Sequence, residues 1–236
     1  MIIRYVNIND IDKDLLERMY GIASLERRVR ASRFVNKSDA DRCICADILL
    51  KMSTERLLDS GSEPVIKKNG FGKPYLSNQN DFFFNITHSG EWVAIGFGDK
   101  EIGIDIEEES PEMESIADYC FTGPELDYVK AAGEACRTAG MTEIWTMKES
   151  YLKYIGTGLS IRMNSFSVKG IDAVDKSSKV HIRTWRLSEK SFLSACSETE
   201  DMKVERTEPG KIAEYIERKG NRFGRNEKYY FRVSPV

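Results

Sequence analysis

Three acids and one lysine occur in two short segments, at spacings that could support metal-dependent phosphate chemistry. Residues 103–107 read GIDIE, so Asp105 and Glu107 alternate with isoleucines. If this segment is a strand, both acids lie on one face, because side chains alternate with a period of two. Glu149 and Lys153 are four residues apart and would share one stripe of a helix. Oxygen ligands suit Mg²⁺ and a nearby lysine suits phosphate, so the pattern indicates a metal-dependent enzyme with a phosphorylated substrate.

The elements that must hold these segments alternate between strand and helix along the chain. Strands are predicted at residues 1–8, 81–86, 91–98, 102–107, 165–169, 180–187 and 192–197, with a polar turn at 87–90. Helices are predicted at residues 12–24, 38–59, 111–119, 123–132 and 142–155. Gly61 is expected to end the second helix, whereas Thr142 should begin the last one and Gly156 should end it. The charged C-terminal residues show only weak periodicity. This alternation predicts a compact α+β architecture.

The charge distribution favours an anionic ligand held beside a cation. The 236 residues are 41% hydrophobic with a formal net charge of −3, which suits one large domain or two small ones. Residues 27–42 contain six bases and two acids, whereas residues 101–118 contain eight acids and no base. A basic and an acidic patch together fit phosphate groups next to a divalent cation. Two solvated helix faces would give the same counts, so charge alone leaves both interpretations open.

The cysteines and the hydropathy pattern exclude other classes. The five cysteines are irregularly spaced, so we interpret them as reduced thiols rather than zinc ligands. There is no opening apolar run of signal-peptide type and no apolar stretch of 18 residues. We therefore expect a soluble, cytoplasmic protein with neither a membrane nor a nucleic acid as its partner.

Single residues allow plainer interpretations. His88 could be structural, and Asp105 with Glu107 could line the solvated face of an edge strand. Glu149 and Lys153 could form a surface ion pair, although Trp145 on the same stripe favours a buried or ligand-lined face. A Ser–His nucleophile at residues 88–89 is poorly supported, because neighbouring side chains of an extended segment point apart and no G-x-S-x-G motif is present.

Together these motifs resemble the 4′-phosphopantetheinyl transferases, specifically the larger Sfp-like type that activates peptide and polyketide synthases. The resemblance covers residues 25–168. It rests on RRVRASRF at 27–34, DADR at 39–42, GKPY at 72–75, FNITHS at 84–89, GIDIE at 103–107 and WTMKESYLK at 145–153, followed by GTG at 156–158. The order and spacing of the last two long motifs are the most specific part of the match.

The resemblance implies a fold of two similar α/β halves related by pseudo-twofold symmetry, with the active site in the cleft between them. The N-terminal half, residues 1–102, would bind coenzyme A phosphates. The C-terminal half, residues 103–236, would supply the metal and catalytic residues. A chain long enough to contain both halves is expected to be a monomer. The role of residues 172–236 stays open.

The resemblance also implies a reaction and a set of site residues. The family transfers 4′-phosphopantetheine from coenzyme A to a serine of an apo acyl or peptidyl carrier protein, which releases adenosine 3′,5′-bisphosphate. Asp105, Glu107 and Glu149 would hold Mg²⁺, with Mn²⁺ as the alternative, and Glu149 and Lys153 would be catalytic. Coenzyme A would be bound by Arg27, Arg30, Arg42, Lys73, Thr87 and His88. Some family members have serine at position 87 and lysines at positions 27 and 30, so the chemical character of these positions is kept.

Two other functions remain as alternatives. The carboxylates could serve a different Mg²⁺-dependent phosphoester enzyme, such as a nuclease or phosphatase, but the bases of residues 27–42 and His88 would then be unexplained. A catalytically silent module that binds coenzyme A or a carrier is the other alternative. The presence of all three carboxylates and Lys153 argues against it. The sequence does not indicate which carrier or pathway is served.

Overall fold

The computed structural model describes residues 1–55, 57, 64–170, 173–174 and 179–223. Within this part the chain forms nine strands in three sheets and seven α-helices. The mixed content confirms the predicted α+β class. The pseudo-twofold relation and the boundary between residues 102 and 103 stay predictions.

The strands form two larger sheets and one hairpin. They are β1 (Ile2–Asn7), β2 (Ile66–Lys68), β3 (Pro74–Leu76), β4 (Phe83–Ser89), β5 (Trp92–Gly98), β6 (Ile102–Glu108), β7 (His181–Arg186), β8 (Ser191–Ser197) and β9 (Lys203–Arg206). The first sheet has the order β4-β5-β1-β9, in which only β1 and β9 are parallel. The second is antiparallel with the order β6-β8-β7, and β2 pairs with β3. In the described part of the chain β6 is therefore an edge strand.

Capping residues mark the ends of some of the described helices. They are α1 (Lys13–Ile22), α2 (Leu25–Ala31), α3 (Lys37–Ser53), α4 (Met113–Cys120), α5 (Gly123–Ala131), α6 (Arg137–Ile155) and α7 (Pro209–Phe223). The Asp12 side chain caps α1, and Gly156 ends α6 in the left-handed conformation with φ of +74°. None of the described helices is long and apolar enough to cross a membrane.

The two larger sheets pack face to face and are covered by helices on their outer sides. On one outer side, Ile44 and Ile48 of α3 belong to the core that also contains Val93 and Ile95 of β5. Between the sheets, a second core combines residues of β1, β5, β6 and β8. A third core joins α4, α5 and α6 on the other outer side. Alternate β5 residues serve the first two cores, as the period of a strand requires.

Gly103 allows β6 to lie unusually close to α6. A Cβ atom at this position would be 2.0 Å from the carbonyl oxygen of Ser150 and 2.1 Å from the amide nitrogen of Tyr154. These are backbone atoms, so a side chain could be accommodated only if the helix moved away. Gly103 therefore permits a close approach of the two elements that carry the predicted acids.

The prediction of a polar turn at residues 87–90 was wrong for most of this segment. Thr87 and His88 were expected in a turn, but β4 continues through both of them to Ser89. Their residue types suggested a turn because polar side chains on a strand usually face water. The Thr87 side chain instead points into the protein and is 5% exposed.

Other boundaries also differ. Thr142 lies inside α6 rather than at its start, because its hydroxyl donates to the Thr138 carbonyl at 2.9 Å. Residues 165–169 form no strand; a 3₁₀ turn at Met163–Ser165 precedes an isolated bridge at Ser167. In the C-terminal region, β9 and α7 were not predicted. Gly61, expected to end the second helix, lies outside the described residues, as do residues 172, 175–178 and 224–236 of the open C-terminal segment.

Candidate active site

The predicted acids lie at the contact between β6 and α6. Asp105 is buried at 3% exposure, and Glu107 and Glu149 are half-buried. The Lys153 ammonium group lies 2.6 Å from Oδ1 of Asp105, so the sequence-distant segments meet through a direct ion pair. Lys153 therefore pairs with Asp105 across the contact between α6 and β6.

Side chains of β4 hold the acid-bearing strand in place. Three residues on one face of β4 donate to or accept from β6: Asn85, Thr87 and Ser89. Asn85 Oδ1 accepts from the Ile104 amide at 3.0 Å, and Thr87 Oγ1 accepts from the Ile106 amide at 3.2 Å. The Ser89 hydroxyl donates to Oε2 of Glu107 at 2.9 Å. We call this set the side-chain ladder, because it satisfies β6 where a neighbouring strand would otherwise bind.

Thr87 joins the ladder to the ion pair. Its hydroxyl donates to Oδ1 of Asp105 at 3.3 Å and accepts from the Lys153 ammonium group at 3.3 Å. The resemblance assigned Thr87 to coenzyme A, and that role stays a prediction. In this structure its hydroxyl is directed at the acids.

Replacing Thr87 by valine is expected to lower the free energy of unfolding by about 1–3 kcal/mol. Valine keeps the shape of the side chain but leaves the buried Ile106 amide without its acceptor. Urea unfolding measures the change. Thr157→Val is the matched control, because the buried Thr157 hydroxyl has no hydrogen-bond partner in the described part of the chain. An equal effect of the two substitutions would contradict this account of the ladder.

Burial raises the pKa of all three carboxylates, and the charge of Asp105 raises the pKa of the two glutamates further. Burial raises the pKa of Asp105, and the Lys153 ammonium group opposes that rise. Burial and then the charge of Asp105 raise the pKa of Glu107 to about 7. Burial and then Asp105 also raise the pKa of Glu149. A cation bound among these groups would therefore relieve repulsion as well as the cost of burial.

The donor set fits a Mg²⁺ ion. Oδ2 of Asp105 is buried and has no hydrogen-bond partner among the residues that the structure describes, so it can ligate a cation. Within the described residues no three His, Cys, Asp or Glu side chains gather closely enough to enclose a metal by themselves. Such enclosure is not required, since Mg²⁺ is commonly held by one or two carboxylates with water and substrate phosphates. Asp105 and Glu107, with Glu149 facing them, are the residues that would hold it.

A basic cluster adjoins the acids. The charges of Arg30 of α2, Arg42 of α3 and Lys153 of α6 all act on the imidazole of His88 in β4. Desolvation by the surrounding protein lowers the pKa of His88, and the charges of Arg42, Lys153 and Arg30 lower it further, whereas Asp39 opposes them. Three cations around one imidazole favour an anionic ligand. The structure thus brings together side chains from four separate elements.

The remaining two predicted phosphate contacts differ from each other. Arg27 is half-buried on α2, three residues before Arg30 and therefore on the same side of that helix. Lys73 does not join the cluster: its ammonium group is bound by Glu101 and by the carbonyls of Ile102 and Tyr154. The role of Lys73 in ligand binding stays a prediction.

A cavity of about 300 Å³ opens beside the acids. The loop at residues 71–74, the middle of β4 and the C-terminal end of α6 form its walls, and Glu149 and Lys153 are among the lining residues. This volume is at the lower end of the range for small-molecule sites. The candidate catalytic groups are therefore accessible to a ligand.

Lys148, next to Glu149 in the sequence, has an entirely different environment. Both members of the Lys148–Glu125 ion pair are fully buried and lie 2.9 Å apart. Lys148 also donates to the carbonyls of Met163 and Phe166 at 2.8 and 2.7 Å. This lysine anchors residues 163–166 to α6. Sequence reasoning assigned it no role.

The side-chain ladder was also missed by sequence reasoning. The signal that could have revealed it is the period of two in Asn85, Thr87 and Ser89, which matches the period of Asp105 and Glu107 in β6. Two strands with matching polar faces can hydrogen bond through their side chains. This match was not recognised because residues 87–90 were predicted to form a turn.

Comparisons with known proteins assign the chain to a family. Residues 101–205 match the model of the 4′-phosphopantetheinyl transferase superfamily, and residues 5–97 match the model of the 4′-phosphopantetheinyl transferase N-terminal region. A holo-(acyl-carrier-protein) synthase structure from Bacillus anthracis, in complex with CoA (3′,5′-ADP), is 21% identical. The structural match covers 41% of this chain and 93% of the synthase chain, with a TM-score of 0.35. Because this structural similarity is low, the family assignment depends on the sequence matches.

Curated relatives match over most of their length. A 4′-phosphopantetheinyl transferase from Bacillus subtilis is 34% identical over 191 residues, which cover 77% of this chain and 84% of the relative. The 4′-phosphopantetheinyl transferase Sfp of Bacillus subtilis strain 168 is 33% identical over 190 residues, with the same coverage. The gsp transferase of Aneurinibacillus migulanus is 33% identical over 159 residues, or 67% of this chain and 66% of that protein. The chain therefore belongs to the 4′-phosphopantetheinyl transferase superfamily.

Proposed function

We propose that the protein transfers 4′-phosphopantetheine from coenzyme A to a serine hydroxyl of an apo acyl or peptidyl carrier protein. The observation that carries the proposal is the meeting of the acids of β6 and α6 with the basic cluster of α2, α3 and β4. A ligand with a pyrophosphate and a further phosphate is bound by basic side chains and by a cation, and the acids would hold that cation. The family membership supplies the reaction type.

In this reaction the serine oxygen forms a bond to the phosphorus of the phosphopantetheine group. The bond between that phosphorus and the bridging pyrophosphate oxygen breaks, so adenosine 3′,5′-bisphosphate leaves with the bridging oxygen. Glu149 accepts the serine proton, directly or through water. Its raised pKa makes it a stronger base than an exposed glutamate, and its place on the cavity wall gives it access to an incoming hydroxyl.

The remaining groups bind and orient the substrate. Lys153 stabilises negative charge on the phosphates, since its ammonium group pairs with Asp105 and its side chain lines the cavity. The guanidinium groups of Arg27, Arg30 and Arg42, with His88, contact the phosphates of coenzyme A. The Nε atom of Arg42 is buried and has no hydrogen-bond partner within the described part of the chain. Mg²⁺ held by Asp105, Glu107 and Glu149 would neutralise the pyrophosphate.

One experiment tests the proposal. The full chain is incubated with coenzyme A, Mg²⁺ and a panel of apo carrier domains from fatty-acid, polyketide and peptide synthesis, and carrier mass is followed. We expect the mass of one phosphopantetheine to be added, and no addition to a carrier whose acceptor serine is alanine. Failure on every carrier would contradict the proposal. Release of adenosine 3′,5′-bisphosphate without a carrier would indicate a phosphoester hydrolase, and coenzyme A binding without either reaction would indicate a silent module.

A monomeric state and a cytoplasmic location complete the proposal. A single chain that supplies both the acids and the basic cluster has no need of a second copy at the site. Light scattering on the purified chain tests the monomer, since a dimer mass at assay concentration would contradict it. Fractionation of cells that express the chain tests the location.

A further inference from the structure

Lys73 lies in the loop between β2 and β3, and its ammonium group is bound by three acceptors. It donates to the carboxylate of Glu101, to the carbonyl of Ile102 at 3.1 Å and to the carbonyl of Tyr154 at 3.1 Å. An ammonium group has three N–H donors, so these contacts use all of them. The Lys73 side chain is only 13% exposed.

The acceptors connect the two elements that carry the candidate catalytic groups. Ile102 is the first residue of β6, and Tyr154 lies in the last turn of α6. Carbonyl groups in the last turn of a helix lack partners within the helix and carry the negative end of its dipole. The Lys73 ammonium group satisfies one of them and links the helix to the strand.

Asn69 fastens the same loop to the end of α6. Its Nδ2 atom donates to the Gly156 carbonyl at 2.9 Å, and its Oδ1 atom accepts from the amides of Phe71 and Lys73 at 2.9 Å each. The stem of Lys73 packs beside Gly156, where an added Cβ would lie 2.9 Å from its Cδ atom. The loop is therefore held at both its backbone and its lysine side chain.

We propose that Lys73 is a positioning residue, whose ammonium group fixes the last turn of α6 against the start of β6. The fixed contact sets the distance between Lys153 and Asp105 and the direction of Glu149. It adjoins Gly103, where the backbones of the two elements lie too close together for a side chain. This inference rests on the proposed function, and it differs from the role implied by the resemblance, because Lys73 has no N–H group left for a phosphate.

Two substitutions with opposite charge effects test the proposal. Lys73→Met removes a positive charge, whereas Glu101→Gln removes the negative charge that faces it. A positioning role predicts that both variants lose turnover, with kcat reduced by about 10- to 100-fold in Lys73→Met and less in Glu101→Gln. A phosphate contact predicts that coenzyme A binding weakens about tenfold or more in Lys73→Met, with kcat retained, and does not weaken in Glu101→Gln.

The measurements are kcat and KM in the carrier assay and Kd for coenzyme A by calorimetry. The control is Lys68→Met, an exposed lysine on β2 of the same hairpin. Loss of kcat with nearly unchanged Kd in both test variants supports positioning. Weakened binding with normal kcat in Lys73→Met overturns it, as does normal kcat in both variants. If Lys73→Met does not fold, the kcat of Glu101→Gln decides.

Amide hydrogen exchange keeps this inference separate from the proposed function. Residues 150–156 should exchange faster in Lys73→Met than in wild type and in Lys68→Met. Unchanged exchange there overturns the positioning role, whatever the activity. If the wild-type protein modifies no carrier but residues 150–156 still exchange faster in Lys73→Met, the proposed transferase function is refuted. The Lys73 contact is then retained as a property of the fold.

Discussion

Replacing Asp105 by asparagine is expected to reduce phosphopantetheine transfer by about 100- to 1,000-fold while the protein stays folded. Asparagine keeps the shape of the side chain but cannot offer two anionic oxygens. The Oδ2 atom, which has no partner among the described residues, would be lost as a cation ligand, and Lys153 would lose the counter-charge that holds it at 2.6 Å. Stability should change little, since the lost ion pair is offset by the removal of a buried charge.

The carrier assay measures transfer, and circular dichroism with thermal unfolding measures the fold. Titration with Mg²⁺ by calorimetry gives a readout that does not depend on turnover, and we expect the binding heat to fall. Asp118→Asn is the control, because Asp118 is exposed on α4 within the same acidic stretch. Near-normal transfer by Asp105→Asn would show that this carboxylate does not support the reaction.

Replacing Lys148 by methionine is expected to destabilise the protein by about 3–5 kcal/mol. The Glu125 carboxylate would remain fully buried after losing its partner at 2.9 Å. The same change would release two carbonyls that Lys148 now satisfies. Desolvation lowers the pKa of Lys148 and Glu125 opposes this, as expected for a lysine whose charge depends on one buried acid.

Urea unfolding measures this loss, and Lys130→Met on the exposed face of α5 is the control. The double variant Glu125→Gln, Lys148→Met should be more stable than Lys148→Met, because no unpaired charge is then buried. A free energy of unfolding for Lys148→Met within about 0.5 kcal/mol of wild type would mean that the ion pair contributes nothing to stability. Replacement of the neighbouring residue Glu149, by contrast, should affect turnover rather than stability.

The sequence was sufficient for features that depend on local chemistry. The alternation of Asp105 and Glu107 with isoleucines predicted β6, and Gly156 predicted the end of α6, because each signal lies in the element itself. Thr142 was misleading since a threonine hydroxyl can bond a carbonyl of its own helix instead of capping a new one. The helix α7 was missed because its buried face, with Ile212, Tyr215 and Ile216, is set among many charges.

The candidate site was predictable as a list of residue types but not as a set of contacts. The acids and Lys153 could be named from spacing, yet their partners come from distant positions. Thr87 is 18 residues from Asp105 along the chain, and Lys73 is 81 residues from Tyr154. Whether a lysine in a loop faces a ligand or a helix end depends on which acceptors the fold brings near. That information is tertiary.

The side-chain ladder has a consequence for solubility. An outer strand with apolar residues such as Ile104 and Ile106 would ordinarily be a template for pairing with a strand of another molecule. Here the amides of both residues already have acceptors on β4, so the edge offers no free donors at these positions. Changes at Asn85 or Thr87 would leave one of these amides without its acceptor. We expect such variants to aggregate more than wild type during expression, because the freed donor can pair with a strand of another molecule.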